Sequence, residues 1–221
     1  MTWVKICGTT NLEDALVAVE AGADAVGFVF YEKSPRKIGL EAAREIVEKL
    51  PQSVEKVGVF VNEYEDSICA VADEAGLTAF QMHGDDEDPH VADLVVGRRP
   101  SLKVFAAISM HHASPVGWAS MWEADVVHAF LVDSGTQLKL GGTGDVFDWK
   151  ASVRTVDEIG RFGQLVLAGG LTPGNVAEAL GILKPWGVDV ASGVEARPGR
   201  KDPEKVRAFV KAVREFDRKT S

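Results

Sequence analysis

Short apolar runs alternate with longer amphipathic stretches along the whole chain. The first short run, WVKI at 3–6, has the β-branched and aromatic residues typical of a buried strand. The stretch that follows, NLEDALVAVEAGA, carries apolar residues at helical spacing, with Asn11 placed to cap the helix and Gly22 placed to end it. The same alternation continues to the end of the chain and predicts eight strand-then-helix units.

The predicted strands are WVKI, DAVGFVF, EKVGVFV, LTAFQ, SLKVFAAI, VVHAFLVD, QLVLA and GVDVA. The clearer helices after the first are LEAAREIVEKL, EDSICAVADEAG, DEDPHVADLVVG, FDWKASVRTVDEIG, PGNVAEALGILK and DPEKVRAFVKAVREF. The segment 111–123 is predicted as a poor helix, because Pro115 and Gly117 interrupt it.

Strands that alternate with helices indicate a parallel sheet covered by helices, which is the α/β class. Eight such units in 221 residues favour a closed (β/α)₈ TIM barrel that spans 1–221 as a single catalytic domain. An open doubly wound sheet is the alternative. The glycine-rich dinucleotide fingerprint of that fold does not follow the first predicted strand, which makes the barrel the favoured fold.

Composition and charge exclude several classes of function. The chain has 24 Lys plus Arg against 33 Asp plus Glu, a net charge of −9, which argues against nucleic acid or an anionic membrane as partner. Its 46% hydrophobic content argues against disorder, and two cysteines cannot build a disulfide framework. With no signal-peptide pattern and no apolar run of about 18 residues, the sequence is interpreted as cytoplasmic.

Polar and reactive residues follow most of the predicted strands. In a barrel of this kind the active site lies at the carboxyl ends of the strands. Cys7 ends strand one, Arg36 lies in the loop after strand two, His83 follows strand four and Asp133 ends strand six. Turn formation alone would explain glycines in these loops, but it would not explain Cys7, Arg36 and Asp133.

Glycine-rich loops after the last two strands favour a phosphate site. Gly169 and Gly170 follow strand seven, and Ser192 and Gly193 follow strand eight. Such loops aim backbone N–H groups at an anion, as in the phosphate sites of many barrels, and they would attract phosphate to an acidic protein. We expect a helix from near Pro173 and a short extra helix from Ser192. Tight turns without a ligand are the alternative.

The pattern also predicts a buried ion pair and no metal. Lys5 lies two residues before Cys7, on the same strand face, and needs a carboxylate partner if it points inward. Strand eight closes the barrel against strand one, so Asp189 is the predicted partner, with a solvated Lys5 as the alternative. The histidines lack metal-ligand spacing, and the acidic run 85–88 is interpreted as a helix start.

Several segments together resemble the phosphoribosylanthranilate isomerase family of tryptophan biosynthesis. They are VKICGTTNLEDALVAVEAGADAVGFVFYEKSPRKI, VGVFVNE, QMHG, GGTGDVFDW, LAGGLTPGNV and VDVASGVEARPGRKD. The resemblance covers essentially the whole chain. It implies a cofactor-free isomerase that converts the phosphosugar N-(5-phosphoribosyl)anthranilate into 1-(2-carboxyphenylamino)-1-deoxyribulose 5-phosphate by an Amadori rearrangement.

The resemblance places the general base at Cys7 and the general acid at Asp133. Their pKa values must then shift in opposite senses from about 8.5 and about 3.9, and a cation such as Lys5 would help to form the thiolate. Arg36 is the candidate for the anthranilate carboxylate, because its planar fork binds carboxylates bidentately. Further candidate substrate contacts are His83, Gly142 and Gly144, with Gly169, Gly170, Ser192 and Gly193 at the phosphate. A monomer or a homodimer is expected.

Other functions remain open from the residues alone. A Schiff-base aldolase needs a lysine in the barrel mouth. Strand six ends in Asp133 without such a lysine, and Lys5 and Lys103 lie within strands. A phosphosugar-binding barrel without catalysis would lack the acid or the base. A barrel acting on a related phosphoribosyl aminoimidazole typically uses an aspartate on strand one, where this chain has Cys7.

Overall fold

Eight parallel strands close into a barrel in chain order, with the first strand paired to the last. The computed structural model describes residues 1–84, 88–122, 125–134 and 148–220. The strands are β1 (Trp3–Ile6), β2 (Ala25–Val29), β3 (Glu55–Phe60), β4 (Ala79–Met82), β5 (Lys103–Ser109), β6 (Val127–Asp133), β7 (Gln164–Leu167) and β8 (Gly187–Val190). The predicted TIM barrel is confirmed, and the open-sheet alternative is wrong.

Helices follow the strands and cover the outside of the barrel. They are α1 (Leu12–Ala21), α2 (Leu40–Val47), α3 (Glu65–Ala75), α4 (Pro89–Arg98), α5 (Pro115–Ala119), α6 (Trp149–Ile159), α7 (Val176–Leu183) and α8 (Pro203–Thr220). Over 111–122, the described part of the interrupted segment, the helix is only the five-residue α5, as its proline and glycine predict. No helix in the described ranges is long and apolar enough to cross a membrane.

The ends of the helices follow from local side-chain chemistry. The Asn11 side chain accepts a hydrogen bond from the N–H of Asp14, and Gly22 ends α1 in the left-handed region at φ 93°. Asp88 and Asp148 cap α4 and α6 in the same way. The acidic run therefore contributes a helix cap at Asp88, whereas 85–87 lie outside the described residues.

The structure corrects one local prediction and adds one element that was not predicted. Helix α7 begins at Val176 and not near Pro173, because Asn175 holds the preceding turn. Its Oδ1 accepts from the N–H of Thr172 at 2.7 Å and its Nδ2 donates to the carbonyl of Gly170 at 3.0 Å. A short hairpin of β9 (Glu195–Arg197) and β10 (Arg200–Lys201) was not predicted; Gly199 makes its turn at φ 76°.

The barrel interior is filled by alternate residues of the strands. Its apolar part consists of Ala25, Val57, Ala79, Phe105, Ala107, Ala129, Leu131, Val166 and Ala168, with Trp3 and Trp186 packed against them. A second, larger apolar cluster lies between the strands and the helices. Inside the barrel, Lys5, Gln81 and Asp189 are buried as a polar group towards the carboxyl ends of the strands.

Candidate active site

Cys7 and Asp133 lie at the same end of the barrel. Cys7 follows β1 directly, Asp133 is the last residue of β6, and all barrel strands run parallel. Each residue is 7% exposed. Cys7 packs with Val29 and Val59 in a small apolar cluster at this end. The predicted thiol and carboxyl group therefore share the barrel mouth.

The predicted ion pair beneath the mouth is confirmed. Lys5 Nζ lies 3.1 Å from Asp189 Oδ1, and the Lys5 side chain is fully buried, so the solvated alternative is wrong. The two residues face each other in the β1–β8 register. Burial alone would lower the pKa of Lys5, but the charges of Asp189 and Cys7 outweigh it and raise the pKa above the usual lysine value. Lys5 is therefore a buried cation next to Cys7.

Burial dominates the pKa of Cys7. It raises the pKa above the usual thiol value, while the nearby charges of Lys5 and Lys201 only partly oppose it. Lys5 acts in the direction expected from the sequence, but its effect is smaller than that of desolvation. In the unliganded chain the protonated thiol is therefore favoured.

His83 lies between Gln81 and Asp133. Its Nδ1 is 2.9 Å from Gln81 Nε2, and its Nε2 is 3.8 Å from Asp133 Oδ2. Gln81 Oε1 in turn accepts a hydrogen bond from Lys5 at 2.8 Å. A continuous line of polar side chains thus connects Asp189 on β8 with Asp133 on β6.

Arg36 reaches the mouth from the loop after β2 and is held by Glu195. Its Nε and Nη2 each donate to the Glu195 carboxylate at 2.8 Å. Its side chain lies over Gly8, where a Cβ would come within 2.5 Å of Arg36 Cδ. Glu195 therefore engages one edge of the fork that is predicted to bind a substrate carboxylate, and the edge formed by Nη1 and Nη2 is the opposite one.

Lys201 connects this arginine–glutamate pair to Cys7. Its buried Nζ donates to the carbonyl of Cys7 at 2.6 Å, to the carbonyl of Ala191 at 3.1 Å and to Glu195 Oε1 at 3.2 Å. Sequence reasoning did not single out Glu195 or Lys201 as site residues. Both stand in the motif SGVEARPGRKD, but their pairing depends on the unpredicted β9–β10 hairpin.

The loops after β7 and β8 meet at the mouth. Gly169 and Gly170 adopt positive φ angles of 82° and 63°. A Cβ on Gly169 would lie 2.5 Å from Asp133 Oδ1, and one on Gly193 would lie 1.8 Å from the Leu171 carbonyl oxygen. Ser192 begins a 3₁₀ turn (Ser192–Val194), which confirms the short extra helix there. Glycine at these positions permits close backbone approach, and this brings the four predicted phosphate-loop residues together.

The remaining candidate residues are two glycines that lie outside the described residues. Gly142 and Gly144 fall in 135–147, of which no structure is described. Across the described ranges, no group of three or more His, Cys, Asp and Glu side chains is arranged to hold a metal ion.

Comparison with known proteins decides the family. The model of the N-(5'-phosphoribosyl)anthranilate (PRA) isomerase family matches residues 4–212. The chain belongs to this family. A PRA isomerase from Geobacter sp. (strain M21) is 50% identical over 210 residues, which cover 95% of this chain and 97% of the relative.

Solved PRA isomerases share the fold. Monomers of the dimeric enzyme from Thermotoga maritima are 41% identical with a TM-score of 0.82, covering 97% of this chain and 100% of theirs. A PRA isomerase in complex with reduced 1-(o-carboxyphenylamino)-1-deoxyribulose 5-phosphate is 40% identical with a TM-score of 0.81, at the same coverage.

Proposed function

We propose that this chain converts N-(5-phosphoribosyl)anthranilate into 1-(2-carboxyphenylamino)-1-deoxyribulose 5-phosphate. The observation that carries the proposal is a thiol and a carboxyl group at one barrel mouth, beside two meeting glycine-containing loops, in a chain of the PRA isomerase family. The reaction opens a sugar ring and moves a proton between neighbouring carbons. It therefore needs an acid and a base on opposite sides of one bound sugar.

Asp133 is the proposed acid. It donates its proton to the ribose ring oxygen as the bond from that oxygen to carbon 1 breaks. The nitrogen lone pair forms a double bond to carbon 1, which leaves an open-chain iminium ion and an Asp133 carboxylate.

Cys7 is the proposed base. Its thiolate removes the proton from carbon 2, and the electrons of that C–H bond form a double bond to carbon 1 while the iminium nitrogen becomes neutral. The resulting enolamine takes up a proton at carbon 1 and loses the proton of its hydroxyl group at carbon 2, which becomes the ketone. Because burial raises the pKa of Cys7, the thiolate that does form is a stronger base than an ordinary one, and Lys5 supplies a neighbouring positive charge.

The two charged ends of the substrate are proposed to bind at separate places in the barrel mouth. The backbone of Gly169, Gly170, Ser192 and Gly193 would hold the phosphate, whose attraction to an acidic protein needs such local donors. The outer edge of Arg36 would bind the anthranilate carboxylate, with the inner edge fixed by Glu195. His83, Gly142 and Gly144 remain predicted substrate contacts.

Assembly as a monomer or a homodimer is part of the proposal. The Thermotoga maritima relative is described as dimeric, which supports the homodimer. Light scattering coupled to size-exclusion chromatography distinguishes a mass near 23.7 kDa from twice that mass.

The direct test follows the fluorescence of the anthranilate group. The labile substrate is generated in situ, and its emission decays as it is converted. We expect Cys7→Ala and Asp133→Asn each to lower kcat by at least about a hundredfold, because each removes one partner of acid–base catalysis. Cys69→Ala is the matched control, since this second buried cysteine lies on α3 away from the mouth.

Three results would contradict the proposal. Wild-type rates in folded Cys7→Ala and Asp133→Asn would remove the assigned roles. Absence of turnover by the wild-type chain would remove the proposed reaction. Trapping of a substrate adduct on a lysine by borohydride would favour the aldolase alternative instead.

A further inference from the structure

We infer that Gln81 is a positioning residue: held by Lys5, its amide keeps the hydrogen of neutral His83 on Nε2, the nitrogen that faces Asp133. The geometric part of this inference concerns the unliganded chain. Its catalytic part rests on the proposed role of Asp133 as the acid. No substrate contact by Gln81 is required.

Lys5 fixes which way the Gln81 amide points. Lys5 Nζ lies 2.8 Å from Gln81 Oε1, and both side chains are buried. An ammonium group only donates hydrogen bonds, so the atom of the amide that faces it must be the oxygen. The reversed amide would place NH₂ hydrogens against the buried ammonium. Asp189 holds Lys5 from the other side at 3.1 Å, so the ammonium itself is fixed.

The fixed amide then selects one tautomer of His83. With Oε1 towards Lys5, the amide NH₂ group points at His83, and its nitrogen lies 2.9 Å from Nδ1. An amide nitrogen only donates, so Nδ1 must accept and carries no hydrogen. The neutral imidazole therefore has its hydrogen on Nε2, because the hydrogen bond at one ring nitrogen decides the state of the other.

This tautomer matters because Nε2 is the nitrogen next to the proposed acid. It lies 3.8 Å from Asp133 Oδ2, a separation that one small movement on substrate binding would turn into a hydrogen bond. A hydrogen bond from Nε2 to Oδ2 would hold the Asp133 carboxyl group in one orientation towards the substrate. In the other tautomer the Nε2 lone pair would face Asp133, repel its carboxylate and compete for its acidic proton.

The same arrangement explains a buried glutamine in the barrel interior. Gln81 is 2% exposed and its inward neighbours on adjacent strands are mostly apolar. A buried amide must have both its oxygen and its nitrogen bonded to avoid a desolvation cost. Lys5 bonds to the amide oxygen and His83 to the amide nitrogen. The position of the ammonium therefore fixes the orientation of the amide, and the amide presents a donor to His83.

Gln81→Glu is the sharpest variant, because it preserves shape and replaces the donating NH₂ with an accepting oxygen. We expect His83 Nδ1 to carry a hydrogen, and kcat to fall by about a hundredfold, the lower range for loss of acid–base catalysis. The ring nitrogens are observed by long-range proton–nitrogen NMR on isotope-labelled histidine, with the His83 signals assigned from His83→Asn. Gln164→Glu, at the exposed start of β7, adds the same charge elsewhere and should change neither quantity.

The outcomes separate this inference from the proposed function. A wild-type spectrum with the hydrogen on Nδ1 overturns the inference even if the chain is an active isomerase. An unchanged tautomer and kcat in folded Gln81→Glu also overturn it. If the wild-type chain does not convert the substrate, the proposed function fails, while the wild-type spectrum still decides the tautomer. If Gln81→Glu does not fold, the wild-type spectrum decides as well.

Discussion

Glu195 shows how one carboxylate organises a loop region. It accepts hydrogen bonds from Arg36, from the N–H of Gly199 and from Lys201. Burial alone would raise the pKa of Glu195, but the Arg36 hydrogen bonds and the charge of Lys201 outweigh it and hold the pKa below the usual value. Glu195 is therefore ionised at neutral pH, and it compensates two cations.

Replacing Glu195 with Gln should destabilise the fold by about 3 kcal/mol at neutral pH, because two largely buried cations lose their counter-charge. The lowered pKa gives a stability contribution that is present above the unfolded value of about 4.3 and is lost as pH falls through the folded value. The difference between variant and wild type should therefore shrink in acid. Urea unfolding across pH measures it, and a difference independent of pH would contradict the argument.

At the level of single residues, the sequence predicted what strand alternation and strand order determine. Lys5 was placed inside the barrel because it shares a strand face with Cys7, and Asp189 became its partner because β8 must close on β1. The Arg36–Glu195 pair was not predictable in this way. Arg36 lies in the loop after β2 and Glu195 begins β9, so the two are distant in sequence and no periodicity relates them.

At the scale of the secondary-structure elements, the loops after β7 and β8 are in direct contact. The Cα of Gly193 lies against the Leu171 carbonyl, and Asn175 holds the turn that presents Leu171. The predicted helix start near Pro173 was wrong because proline tolerates several turn positions, while the hydrogen bonds of Asn175 decided this one. The sequence predicted that backbone or ligand atoms approach these glycines closely, but it did not predict which residues would lie next to them.

Gly193→Ala should weaken both the fold and the binding of phosphate. Its Cβ would lie 1.8 Å from a backbone oxygen, so one loop must shift, at a stability cost of about 1 to 3 kcal/mol. We expect inhibition by inorganic phosphate to weaken at least tenfold. Gly39→Ala is the control, because nothing lies within 4 Å of its Cβ. Equal phosphate inhibition in Gly193→Ala and wild type would remove this loop from the phosphate site.

At the scale of the whole molecule, the barrel has a charged centre. Lys5, Gln81 and Asp189 connect β1, β4 and β8 across an interior that is otherwise largely apolar. Buried ion pairs contribute little net stability, since desolvation offsets their attraction. We therefore expect this charged group to serve the site above it more than the stability of the fold.

A pair of variants separates these two roles. Asp189→Asn should cost about 3 to 5 kcal/mol, because it leaves Lys5 charged and unpaired in the interior. The double variant Lys5→Met with Asp189→Leu should recover most of that stability but remain poorly active, since Gln81 loses its anchor and Cys7 its neighbouring cation. Urea midpoints and the fluorescence assay measure the two quantities. A stable double variant with wild-type activity would contradict the assignment.

The three hydrogen bonds of the Lys201 ammonium have a consequence for changing specificity. The Lys201 ammonium donates to the carbonyl groups of Cys7 and Ala191 and to the carboxylate of Glu195, which binds Arg36. Selection for a substrate without a carboxylate would remove the proposed ligand of Arg36, and the resulting shift would reach Cys7, the proposed base, through Lys201. A new specificity in this scaffold would therefore require compensating changes around Lys201, so substrate range and reaction rate are expected to evolve together.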